Sequence, residues 1–202
     1  MKPITVLLHL PLLLLPSGCG DGEHTGGVLA QPADSKESFG IVAPFRMTER
    51  SGRTISNADL NGHACAFAFV YTQCTGPCPS VTATMQKLSG KLKNPAIRLV
   101  SVSVDPDNDT PEALREYAQA FSADAERWWF LTGEVQSTDA WIRSSFLSPV
   151  ERDAGAKPGE RVSHRTQIVT VDKEGRVRGF YAGETSEDLE RIAARLEFLQ
   201  GE

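Results

Sequence analysis

The sequence predicts an α/β fold, a mixed sheet with helices on both faces. Three observations carry that prediction. Runs of β character alternate with runs of helical periodicity along most of the chain. The run at 64–71 is wholly apolar and too short for most helices, which suits a central strand covered on both sides. The alternation ends in two adjacent strand-like runs joined by a turn, then one more helix, so the sheet cannot be all parallel.

Residues 44–60 read as two short strands around a turn at 50–53, an N-terminal β-hairpin. After the strand at 64–71, Val81, Met85, Leu88 and Leu92 recur at helical spacing, which predicts a helix over 80–92 ended by Asn94-Pro95. The alternating, β-branched run 97–104 is the next strand. A polar loop at 105–109 leads to Thr110 as a helix cap, with Pro111 at the first helical position and Leu114, Tyr117, Ala118 and Phe121 on the apolar face. A short aromatic strand is expected at 127–131 and a helix at 138–146, and 148–163 reads as a long polar loop. Strands at 166–171 and 176–181 then pair through the turn at 172–175. The last helix starts near Thr185-Ser186 and buries Leu189, Ile192, Leu196 and Leu199. The first strand-to-helix connection falls at the carboxyl end of a strand, where open α/β sheets place ligand sites. This is a thioredoxin-like arrangement.

Upstream of the fold, residues 1–18 have the form of a secretory signal of lipoprotein type. Lys2 supplies the positive start, 4–15 is apolar, and the small residues Ser17 and Gly18 precede Cys19, the expected lipidation site. Residues 19–43 contain little apolar surface and read as a flexible tether, and 44–202 is left as one domain. The protein is therefore expected to be exported and anchored to a membrane, facing the periplasm or the cell exterior. The net charge is −5, and −6 once Lys2 leaves with the signal, which argues against a nucleic-acid partner.

Of the four cysteines, Cys74 and Cys78 lie between the central strand and the helix after it. On a helical turn, positions i and i+4 face the same way, close enough to clamp a soft metal or, with adjustment, to form a disulfide. A helix N-terminus favours the thiolate, which is both the nucleophile and the metal ligand, so spacing alone leaves both uses open. Three features favour a metal. The spacing is C-x₃-C rather than the C-x₂-C of redox motifs. Thioredoxin-like oxidoreductases carry a proline just before the strand facing the cysteines, and here none occurs between Gly159 and Thr166. That place holds His164 instead, and two thiolates with one imidazole form a three-ligand site that suits copper. Cys65 is expected to be a core residue, His63 a loop residue, and His24 part of the tether.

The cysteine stretch 71–79, the acidic stretch 103–111 (Ser-Val-Asp-Pro-Asp-Asn-Asp-Thr-Pro) and Val-Ser-His164-Arg-Thr together resemble the Sco/SenC family, over about 44–199. The family consists of membrane-tethered, thioredoxin-fold copper proteins that help load the dinuclear copper centre of cytochrome c oxidase. The resemblance implies copper, Cu(I) or Cu(II), on Cys74, Cys78 and His164, a Cys74–Cys78 disulfide in the oxidised state, and an oxidase subunit as the copper-receiving client. Ser163 stands where relatives commonly have aspartate, Thr-Gly-Pro stands between the cysteines in place of the frequent Pro-Asp-Val, and Cys65 is an additional thiol. The alternative is a thiol–disulfide oxidoreductase that reduces client cysteines for metallation through the same two residues.

Overall fold

The structure, a computed structural model, describes residues 31–202. The expected signal segment 1–18, the expected lipidation site Cys19, the first part of the expected tether and His24 lie outside the described residues.

The elements run in the expected order. The hairpin is β1 (Arg46–Glu49) and β2 (Thr54–Ser56), followed by a single turn, α1 (Asn57–Leu60). Then come β3 (Cys65–Val70), α2 (Cys78–Lys91), β4 (Arg98–Ser103), α3 (Pro111–Ala120), β5 (Trp128–Thr132) and α4 (Val135–Phe146). The segment expected as an irregular loop contains a small hairpin of its own, β6 (Glu151–Arg152) with β7 (Val162–Ser163). β8 (Ile168–Val171), β9 (Val177–Tyr181) and α5 (Ser186–Gly201) complete the chain. Helix starts follow capping chemistry: the side chains of Thr110, Glu134 and Thr185 accept from the first-turn amides of α3, α4 and α5. The Glu134 cap moves the start of α4 three residues ahead of the apolar pattern that predicted it.

The seven main strands are ordered β2-β1-β5-β4-β3-β8-β9. β3, β4 and β5 are parallel, and the two flanking pairs run antiparallel. β3 is central and fully buried, and its alternation divides the core. Ala64, Ala66 and Ala68 face α2, α3 and α5, where small side chains let helices approach the sheet. Cys65, Phe67 and Phe69 face α4, where the Phe67 and Phe69 rings each lie 5.1 Å from Phe146. Cys65 is thus a core residue, its sulfur 3.3 Å from the His63 carbonyl.

The later part of the predicted tether is packed chain. Val42 N–H donates to Gly175 O (2.8 Å) and Phe39 N–H to Val177 O (2.9 Å). Arg178 donates to the carbonyls of Ser35 and Glu37, and Arg195 to that of Ala33. Polar composition reads as free chain because these contacts use backbone carbonyls, which composition does not reveal.

Candidate metal site

The site forms where β3 ends. Cys74 N–H closes a turn onto Tyr71 O (3.2 Å), and the helix begins at Cys78, two residues earlier than the apolar pattern predicts, with Pro79 in its first turn. Cys74 therefore lies outside α2, and the turn at 71–77, rather than a helical i, i+4 relation, brings the sulfurs together. Cys74 is half-buried and Cys78 buried, and both are free thiols.

His164 reaches the site from the other half of the chain. It follows β7 directly and stands four residues before β8. Its Nε2 is 3.9 Å from Cys78 Sγ, and its Nδ1 is 2.9 Å from the Arg165 carbonyl. That carbonyl can only accept, so the proton is on Nδ1 and the Nε2 lone pair faces the sulfur. Burial holds the imidazole below its ordinary pKa, against the bond to Arg165, so it stays neutral and able to ligate. Cys74 and His164 line a cleft of about 410 Å³ with Tyr71, Gly76, Pro77 and Gly159, whereas Cys78 is buried and does not line it.

The thiol at the helix start differs from expectation. Burial, reinforced by a bond with Cys74, pushes the Cys78 thiol well above its ordinary range. Desolvation outweighs the helix N-terminus here.

Three residues outside the expected ligand set shape the site; Tyr71 and Asp109 stand within the stretches that carry the resemblance, and the partners of neither are legible there. Tyr71 hydroxyl donates to Gly159 O, which also accepts from Thr75 N–H at 3.4 Å. The Tyr71 ring stands edge-on to His164, centroids 6.4 Å apart. Gly159 has φ 88°, and a Cβ there would lie 2.6 Å from Gln73 O, so only glycine lets this loop close on the cysteine turn. From below, the fully buried Asp109 accepts from Thr72 N–H (3.1 Å), Thr72 hydroxyl (2.6 Å) and Ser103 hydroxyl (2.5 Å). Burial holds its carboxyl above the ordinary range, and those bonds oppose the shift. The acidic loop thus serves as more than a helix cap.

The donor set is two soft sulfurs and one neutral imidazole, which fits copper. Cys74, Cys78 and His164 are the residues that would hold it, and Cys78 Sγ and His164 Nε2 stand 3.9 Å apart. The trio is not closed: among the described residues no three His, Cys, Asp or Glu side chains are gathered tightly enough to hold a metal as they stand.

The family model for SCO1/SenC matches residues 33–199. A SCO1/SenC family lipoprotein from Bacillus anthracis str. Ames superposes with TM-score 0.72 at 29% identity, over 81% of this chain and 98% of its own. BsSco, a member of the Sco family of cytochrome c oxidase assembly proteins in which a disulfide switch was identified, also gives 0.72, at 30% identity over 83% and 98%. Bradyrhizobium japonicum ScoI with copper bound has the same fold, with TM-score 0.67 at 22% identity over 79% and 99%.

Proposed function

The chain belongs to the SCO1/SenC family, and from that membership we propose that it binds copper through Cys74, Cys78 and His164 and delivers it to, or helps assemble, the copper centre of a cytochrome c oxidase. The observation that carries this is His164 Nε2 facing Cys78 Sγ at 3.9 Å, across chain segments 86 residues apart, with the other ring nitrogen held on the Arg165 carbonyl. Export behind a lipid on Cys19, with 1–18 removed and 44–202 as the copper-binding domain, places the site outside the cytosol, and client and membrane complete the setting. Both thiols lose protons on taking up copper, so affinity rises with pH. Release is eased where the loop before His164 lifts, since two hydrogen bonds to Gly159 O hold it on the cysteine turn. Titration of the reduced protein with Cu(I) and Cu(II) tests the reading. One equivalent should bind, and Cys74→Ala, Cys78→Ala or His164→Ala should each weaken it by more than the about 10–100-fold that loss of an outer-shell partner costs. Binding that survives loss of both cysteines, or is unchanged in His164→Ala, would sink it.

A second reading is favoured by the half-exposed Cys74 over the buried Cys78. In a thiol–disulfide oxidoreductase, Cys74 thiolate attacks a client disulfide and displaces one client thiolate. Cys78 thiolate then attacks the Cys74 sulfur, freeing the second client thiol and leaving a Cys74–Cys78 disulfide. Two electrons pass to the client. Client reduction by copper-free protein, retained in His164→Ala, selects this reading.

A further inference from the structure

The hairpin that brings His164 to the cysteines is fastened at both ends. Its loop closes on the cysteine turn through Gly159 O. Its base is fastened by one side chain, Arg152 of β6. Arg152 stands opposite Val162 of β7, and His164 follows that strand directly. Arg152 Nε donates to Asp139 Oδ2 (2.9 Å) and Nη2 to Asp139 Oδ1 (2.7 Å), a forked ion pair onto the second turn of α4. The same Nη2 donates to Val104 O at 2.8 Å.

Val104 leads back to the cysteines. It is fully buried just past β4, and its N–H donates to the carbonyl of Val70, the last residue of β3, at 2.9 Å. Tyr71 comes next, and Cys74 N–H closes onto its carbonyl. Asp105, the residue after Val104, has Oδ1 4.0 Å from Arg152 Nη1. One guanidinium therefore joins the histidine's hairpin to α4, to the end of β4 and to the acidic loop.

Apolar burial holds the hairpin too, since Val150 and Val162 are 6% and 7% exposed. That attraction has no direction: it presses the strands on the core without fixing their rotation or slide. β6 and β7 pair over only two positions, so their ladder adds little orientation. A guanidinium fork on a carboxylate does fix direction, because its two bonds are parallel and coplanar. The two side chains are 30% and 19% exposed, so the pair is partly shielded from water.

We propose that Arg152 is the positioning residue for His164: its fork on Asp139 and its bond to Val104 O set the seat of the β6–β7 hairpin, and so how long the imidazole stays on copper. Arg152 lies outside the ligand set and acts through His164. The proposal rests on the reading of Cys74, Cys78 and His164 as the copper ligands.

The test compares Arg152→Gln, Arg152→Lys and Asp139→Asn with the wild type, each alone and with His164→Ala, after melting has shown each to be folded. Asp139→Asn removes the fork from its other side. In copper-free protein, hydrogen exchange should show amide protection lost over 151–163 in Arg152→Gln and Asp139→Asn, with Arg152→Lys, charged but unforked, in between. Loaded with one equivalent of Cu(II), Arg152→Gln and Asp139→Asn should lose it to EDTA about tenfold faster than the wild type, the low end of what an outer-shell partner contributes. Adding Asp139→Asn to Arg152→Gln should bring no further acceleration, and neither change should matter once His164 is alanine. Copper loss at the wild-type rate in Arg152→Gln and Asp139→Asn, or an equal acceleration with and without His164, overturns the proposal alone. Copper held by His164→Ala as well as by the wild type overturns the ligand reading and the proposal with it.

Discussion

Cys65, Cys74 and Cys78 occur within fourteen residues of chain but occupy three environments. Burial pushes the Cys65 thiol up to about 12, which Arg98 only partly offsets, and it also raises Cys78. Cys74 alone lines the cleft. Iodoacetamide should therefore modify the reduced native protein first at Cys74, more slowly at Cys78, and at Cys65 only after unfolding, with peptide mapping as the readout. Asp109 supports the same turn. Asp109→Ala leaves Thr72 N–H and Ser103 hydroxyl without their acceptor and should cost about 1–3 kcal/mol in a denaturant melt. Its carboxyl is held above the unfolded value, so the stability it contributes is fully present below the unfolded pKa and is lost as pH rises through the folded one. Asp109→Asn removes that loss, and its melting temperature should gain on the wild type as pH rises through this window.

Among the elements, the β6–β7 hairpin decides whether His164 meets the cysteines. Gly159→Ala sets a Cβ against Gln73 O at a positive φ, with a cost of about 1–3 kcal/mol. The expected result is faster proteolysis within 153–161 and faster copper loss, with the far-UV spectrum unchanged. This contact was invisible in the sequence, where 148–163 read as polar loop: a two-residue strand leaves no periodicity, and the hold is on one carbonyl. β3, α3 and α5 were legible, since a continuous apolar run, a Thr-Pro cap and an apolar stripe at helical spacing are local signals. The start of α2 was less so, because Cys78 and Pro79 carry no apolar periodicity, although proline is at home in a first helical turn. Cys74, Cys78 and His164 were legible as types at a spacing. Tyr71 and Asp109 were not, since an apolar-run tyrosine and a loop aspartate give no sign of the partners that the tertiary fold brings them.

For the whole molecule, Asp172 links the β8–β9 turn to Arg178 of β9 and, through it, to the N-terminal segment whose Ser35 and Glu37 carbonyls Arg178 holds. It is 2% exposed and accepts from Arg176, Arg178 and two backbone amides. Burial opposes its ionisation, but the bonds from Arg178 and Arg176 prevail and hold its carboxyl below the ordinary range. A depressed folded pKa contributes stability above the unfolded pKa and loses it as pH falls through the folded one, so acid unfolding should include this group. Asp172→Ala, which strands Arg178 in the interior, should cost about 3–5 kcal/mol at neutral pH and flatten the acid limb of the stability profile. The separation of 86 positions between Cys78 and His164 also has a consequence in time. A chain made from its N-terminus presents both sulfurs long before the histidine that faces them exists and before Gly159 can close over Tyr71. While the chain is being made the pair stands without the histidine that faces it, so oxidation to a disulfide is a hazard of the unfinished chain, one that recedes only when the C-terminal half arrives.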